Sequence, residues 1–307
     1  MSRIAFLFPG QGSQFVGMAQ DLHEALPEAR ELFERANDAL GFDLKRLCFD
    51  GPEETLRRTQ YTQPAIFTHS MIMDRVLKSR GIHPAACAGH SLGEYSALVS
   101  AGVLRFEEAL GLVKIRGELM QHAGEINPGT MAAVMGLDAD AIDAVCSEAA
   151  EAGIVKPANY NCPGQIVISG AVPAVHRAME IAKERGARMV KELTVSGAFH
   201  SPLMDHAYEP LDKALDKVSF QPATETFYSN VEAVPVVEPE AIRRLLHKQL
   251  MEPVRWEAIL THMLEDGCDL FYEVGPGKVL CGLLKRTRRE TECLPAGTMA
   301  DLEALAG

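Results

Sequence analysis

The residues with the clearest chemical potential are Gly89-His90-Ser91-Leu92-Gly93. A short apolar run from Pro84 to Ala88 leads into them, and an apolar helical stretch from Leu92 to Val99 follows. This is the G-x-S-x-G pattern of a nucleophile elbow. A serine on a sharp turn between a strand and a helix presents its hydroxyl outward, and flanking glycines avoid side-chain collisions. The free N–H groups of the next helix face the oxygen on which negative charge develops. The chemistry is acyl transfer through Ser91, with the Leu92 N–H as the expected first oxyanion donor. A neutral serine needs a base. Of ten histidines, His200 stands out, because Gly197 and Pro202 bracket it in the loop-like run Ser196 to Pro202. His90 adjoins the serine but points away from a sharp elbow, so it reads as structural or peripheral. For a group to orient the imidazole, Asp205 and Glu273 are available without persuasive spacing. A backbone carbonyl is the other option, and the position stays open on these grounds.

Other polar positions are weaker signals. Gln11 lies in the turn Pro9-Gly10-Gln11-Gly12-Ser13-Gln14, which could supply a second oxyanion N–H. A phosphate loop is the rival, but the Walker lysine is missing. Arg116 has the apolar neighbours Val113, Ile115 and Leu119. The pattern alone favours a surface arginine with a packed stem. The functional alternative is a bidentate clamp on a carboxylate. Asn159, Asn161 and Gln165 are either ligand contacts or turn formers. Gln249 reads as a helix cap before Pro253. There is no HExxH, CxxC or EF-hand pattern, and His200 and His206 are too far apart for a helical pair. No metal or cofactor is expected.

The elements that must hold these groups are legible in outline. Ile4 to Phe8 reads as a buried strand. Helices are predicted near 18–26, 27–40, 62–80 (with Pro64 in the first turn), 92–99 and 105–122. Strand, sharp turn and helix around Ser91 predict an α/β sandwich with a parallel sheet. The pattern then changes. Strands are predicted at 130–135, 154–159, 165–169 and 188–193, with helices at 138–152 and 171–185. The order β-α-β-β-α-β is that of a ferredoxin-like unit. The expected fold is therefore a large α/β domain over 1–125 and 196–307, with a small ferredoxin-like subdomain over 126–195 inserted into it. Beyond it, helices are predicted at 203–217, 239–250, 254–265 and 278–284, and strands at 225–229 and 270–274.

Composition bounds the reading. The 307 residues are 47% hydrophobic and 23% charged, which suits a packed core and argues against disorder. Thirty basic residues face 42 acidic ones, for a net charge of -12. That argues against general nucleic-acid binding, which needs a positive footprint. No apolar run approaches the roughly 20 residues of a membrane span. The run after Met1 is too short for a signal h-region. Seven scattered cysteines without CxxC spacing indicate neither a disulfide framework nor a thiolate zinc site, so a reducing cytoplasm is the expected setting. A monomer is expected.

Taken together, the motifs resemble those of the bacterial malonyl-CoA:acyl carrier protein transacylases. The resemblance covers about 1–300. It rests on Phe8-Pro9-Gly10-Gln11-Gly12-Ser13-Gln14, Ala88-Gly89-His90-Ser91-Leu92-Gly93-Glu94, Arg116, Gly197-Ala198-Phe199-His200-Ser201, and Gln249 before Pro253-Val254-Arg255-Trp256. It implies an α/β-hydrolase-like core with a ferredoxin-like subdomain. It implies Ser91 as the acylated nucleophile, His200 as base, and the amides of Gln11 and Leu92 as the oxyanion hole. Arg116 would bind the malonyl carboxylate, and the main-chain carbonyl of Gln249 would orient His200. Asn161 would line the small-subdomain side of the cleft, and Phe199 would restrict the pocket. The implied substrates are malonyl-CoA, a coenzyme A thioester and not a cofactor, and the phosphopantetheine thiol of holo-acyl carrier protein in fatty acid synthesis. Alternatives are a serine esterase or thioesterase, a non-catalytic carrier-binding module, and a trans-acting acyltransferase of polyketide assembly. Carrier proteins are acidic, so docking needs a local basic surface. Lys285, Arg286, Arg288, Arg289, Lys183 and Arg185 are the candidates.

Overall fold

The computed structural model describes residues 2–305. Among them are ten strands: β1 (Ile4–Phe8), β2 (Ala86–Gly89), β3 (Gly129–Met135), β4 (Val155–Cys162), β5 (Gln165–Ala171), β6 (Met189–Glu192), β7 (Thr226–Tyr228), β8 (Pro235–Val236), β9 (Leu270–Val274) and β10 (Glu292–Ala296). The larger sheet has the order β10-β9-β1-β2-β7-β8. Its first five strands run parallel, and β8 adds antiparallel at the edge.

Parallel strands are covered on both faces, so they read as continuous apolar runs. Strand β1 follows this rule, with Ala5 to Phe8 fully buried. Alternation sends Phe6, Phe8 and Cys87 to one face, where they pack with the helices Thr59–Ser79 and Phe106–Ile126. Ala5, Leu7, Ala86 and Ala88 face the other way, against Trp256–Glu265 and Val279–Thr287. From β1 the chain steps to β2 and later returns to β9 on the opposite side of β1. In such sheets, ligands bind beyond the carboxyl ends of the strands at this reversal. Gln11 follows the end of β1 and Ser91 follows the end of β2.

The second sheet is antiparallel, in the order β4-β5-β3-β6. With the helices Ala139–Ala149 and Val172–Glu184 it forms a ferredoxin-like unit around Val134, Ile142, Ile168 and Ile181. It is stitched to the larger domain by an isolated bridge between Asn159 and Val254. Tyr160 N–H donates to Val254 O at 2.9 Å, and Val254 N–H donates to Ala158 O at 2.8 Å.

Four expectations need correction. Cys281 and Cys293 form a disulfide, their Cα atoms 5.3 Å apart. The pair joins the helix Val279–Thr287 to strand β10, and only packing of that helix beside the strand brings them together. Cys48, Cys87, Cys146, Cys162 and Cys268 are buried free thiols. The helix expected from 62 begins at Thr59, so Pro64 lies inside it and not in its first turn. Two short helices, Leu44–Asp50 and Glu53–Leu56, were not anticipated. Strand β10 and the helix Met299–Ala304 were also missed. Strand β10 contains Pro295 and lies at the sheet edge, where proline is tolerated.

Candidate active site

Two glycines make the turn at Ser91. A Cβ at Gly89 would lie 1.8 Å from Gly93 O, and one at Gly93 would lie 2.1 Å from Phe8 O. The helix Gly93–Ser100 thus starts in backbone contact with β1 and β2. Ser91 takes a left-handed φ of 51°, a strained conformation for a residue with a side chain. Asn230 stabilises it. Its Oδ1 accepts from Ser91 N–H at 2.8 Å, and its Nδ2 donates to Gly89 O at 2.7 Å. Gly93→Ala is expected to lower folding stability by more than about 3 kcal/mol, because rigid main chain blocks the methyl. Denaturant unfolding measures this, and a near-native midpoint would contradict the packing.

His200 also has a positive φ, 57°. Its Nε2 accepts from the Ser91 hydroxyl at 2.8 Å. Its Nδ1–H donates to Gln249 main-chain O at 2.8 Å. Burial, with help from the Arg116 charge, lowers the imidazole pKa to about 3, so it is neutral near pH 7 and can accept a proton. Neither Asp205 nor Glu273 takes the orienting position. Glu273 instead accepts from Cys281 N–H at the start of the helix Val279–Thr287, and Asp205 is exposed.

Arg116 is 1% exposed, not the surface arginine that its neighbours suggested. Its Nη2 donates to Ser91 Oγ at 3.0 Å and to Gln249 Oε1 at 2.9 Å, and its Nη1 donates to Gln63 Oε1 at 2.8 Å. Its Cζ stands 5.5 Å from the Tyr95 ring centroid. A buried cation with neutral oxygen partners next to a nucleophile has the charge and geometry to receive an anionic group.

These groups open on a cleft of about 430 Å³ between the two sheets' domains. Gln11, Leu92, Met120, Met131, Asn159 and Phe199 line it. Among the described residues, neither the Leu92 N–H nor the Gln11 N–H has an acceptor. The Gln11 side chain donates to Thr59 Oγ1 at 3.3 Å. Asn161 does not line the cleft. Its Oδ1 is 2.9 Å from His90 Nε2, and His90 packs edge-on against buried Trp256. Asn159 takes the cleft-facing place instead. Gln165 turns away to Arg286. Among the described residues, no group of three or more His, Cys, Asp or Glu side chains is placed to hold a metal ion.

A family model described as an acyl transferase domain matches residues 5–303. The malonyl CoA-acyl carrier protein transacylase of Bacillus subtilis is 45% identical over 304 residues, covering 99% of this chain and 96% of the relative.

The chain belongs to the bacterial malonyl-CoA:acyl carrier protein transacylase family.

It is an acyltransferase. The Escherichia coli K12 transacylase is 44% identical over 307 residues, covering 100% of this chain and 98% of the relative. A solved transacylase from Coxiella burnetii superposes with a TM-score of 0.96 at 42% identity, covering 99% of this chain and 96% of that one. A malonyl-transacylase solved with a type II polyketide acyl-carrier protein has a TM-score of 0.96 at 42% identity, with 99% and 98% covered.

Within this transacylase fold, sequence reasoning missed Gln63, Glu94 and Asn230 as parts of the site. Glu94 carried a signal, as a carboxylate in the largely apolar stretch Leu92 to Val99, whereas Gln63 follows the polar Thr62 and carried little. Asn230 carried none, because only the return of the chain to the larger sheet brings it beneath the elbow.

Proposed function

We propose that the chain moves a malonyl group from malonyl-CoA to the phosphopantetheine thiol of acyl carrier protein through an ester on Ser91. The single supporting observation is convergence on one oxygen: Ser91 Oγ meets both the base His200 and the cation Arg116. His200 Nε2 takes the hydroxyl proton as Oγ attacks the thioester carbonyl. The carbon–sulfur bond breaks, and His200 returns the proton to the coenzyme A sulfur. The carrier thiol then gives its proton to His200 and attacks the ester, and Ser91 regains the proton. The amides of Leu92 and Gln11 hold both tetrahedral oxyanions. Gln249 O fixes the imidazole, so no acidic third member is needed. Arg116 receives the distal carboxylate. Phe199 narrows the acyl pocket, a discrimination of about 1–3 kcal/mol per methylene. Fatty acid synthesis is the setting this reading favours.

His200→Ala is expected to slow acylation by about 10²–10⁴-fold, the usual worth of a general base. Rapid-quench measurement with malonyl-CoA reads this, and an unchanged rate removes His200 as base. For the carrier, Arg185 is already paired with Glu148 at 2.7 Å, whereas Lys285, Arg288 and Arg289 are exposed basic side chains that an acidic partner could meet. Reversing those three charges is expected to raise the KM for carrier protein and leave that for malonyl-CoA unchanged.

A further inference from the structure

Two opposite charges are buried at the site without touching. Glu94 and Arg116 are each 1% exposed. Arg116 donates to Gln63, Ser91 and Gln249, all neutral. Glu94 accepts from neutral groups, Asn230 N–H at 3.1 Å and Gln249 Nε2 at 2.5 Å. The Gln249 amide lies between the charges. Its oxygen faces the cation, and its nitrogen faces the carboxylate and also donates to Ser91 O at 2.7 Å. Both N–H donors and the oxygen of that amide are engaged, so its orientation is fixed. The same residue holds His200 through its main-chain oxygen.

We propose that Glu94 is a positioning and specificity-determining residue, which acts through the Gln249 amide to orient Arg116 and to moderate how tightly that cation holds the malonyl carboxylate. The proposal rests on malonyl transfer with Arg116 as the clamp. A carboxylate bonded directly to Arg116 would occupy its N–H groups and exclude the substrate. With no counter-charge, the clamp would grip donor and malonyl-enzyme alike. Such uniform binding lowers KM without speeding transfer. A counter-charge one amide away lies between these extremes.

The charged and titratable groups around Glu94 are Arg116 from the helix Phe106–Ile126, Tyr95 beside it on its own helix, and His200 beyond Gln249. Asn230 and Gln249 are neutral. Burial raises the Glu94 pKa to about 7, against the hydrogen bonds from Asn230 N–H and the Gln249 amide and the smaller pull of the Arg116 charge. Its charge therefore responds to a second anion near neutral pH.

The test compares the wild-type chain and Glu94→Gln with malonyl-CoA and acetyl-CoA as donors, folding being checked by circular dichroism. A glutamine cannot accept from both Asn230 and Gln249, and it carries no charge. The KM for malonyl-CoA is expected to fall at least about threefold while kcat also falls, with the KM for acetyl-CoA unchanged. Equal changes for both donors, or an unchanged malonyl-CoA KM, overturn the proposal. Absence of malonyl preference in the wild-type chain overturns the clamp reading itself. Preference that persists untouched in the variant overturns only the role of Glu94. A second measurement needs no substitution. Coupling is reciprocal, so saturating malonate should raise the Glu94 titration midpoint by at least about half a pH unit, read by NMR on ¹³C-labelled glutamate. No movement overturns the proposal, whether or not the variant folds.

Discussion

Ser91→Ala is expected to abolish the malonyl adduct and to reduce transfer at least about 10⁴-fold. The wild-type chain, mixed with malonyl-CoA, should gain one malonyl group by intact-protein mass, and holo-acyl carrier protein should discharge it. The size of the effect follows from the site. Among the described residues, Ser91 carries the one hydroxyl bonded to the His200 imidazole, and the strained elbow presents it to the cleft. No neighbour can replace it, because a water in its place would not carry the acyl group between two thiols. The adduct's lifetime also separates the alternatives. A malonyl-enzyme that persists in buffer without a thiol supports a transferase, whereas rapid loss to water supports a thioesterase. A wild-type chain that never forms the adduct would reduce the protein to a carrier-binding module.

Arg116→Ala is expected to cut the preference for malonyl-CoA over acetyl-CoA by at least about 100-fold. Discrimination here comes from an unmet polar need. A donor without the distal carboxylate leaves a buried guanidinium unmatched, and such mismatches are penalised far more than a missing methylene. Burial already lowers the Arg116 pKa, which reflects the strain of holding a cation there. Competition between the two donors in one tube measures the ratio. Arg116→Lys should restore only part of it, since an ammonium lacks the planar fork that grips a carboxylate at two points. An undiminished ratio in Arg116→Ala would remove the clamp.

Local signals made much of this site readable from the chain. The elbow is a contiguous pattern, and its glycines are dictated by the collisions that a Cβ would make at Gly89 and Gly93. The ferredoxin-like order could be read because the Asn161-Cys162-Pro163-Gly164 turn separates two strand-like runs, and a helical stretch lies on each side of the pair. Arg116 misled because its apolar neighbours describe one helix, while its burial depends on what packs against that helix. Gln249 looked like a cap for a similar reason. Its sequence position shows a helix end, but its oxygen is useful only because the loop carrying His200 returns beside it. Cys281 and Cys293 could not be paired from spacing, since a helix turning back on an edge strand sets their distance. Asn161 and Asn159 lie two apart on β4, and a register shift there decides which of them faces the cleft.

The bridge between Asn159 and Val254 carries a lesson for engineering. Five residues before Val254 is Gln249, which steadies the imidazole, and one residue after it is Arg255, whose N–H reaches Asn230 O under the elbow at 3.0 Å. The lobe that shapes the acyl chamber is therefore geared to the catalytic pair. Grafting another relative's 126–195 alone, to broaden the acyl groups accepted, would bring in a β4 cut for a different 249–255 segment. Chimeras that exchange both segments together should keep their turnover, while lobe-only swaps should lose it even when they fold.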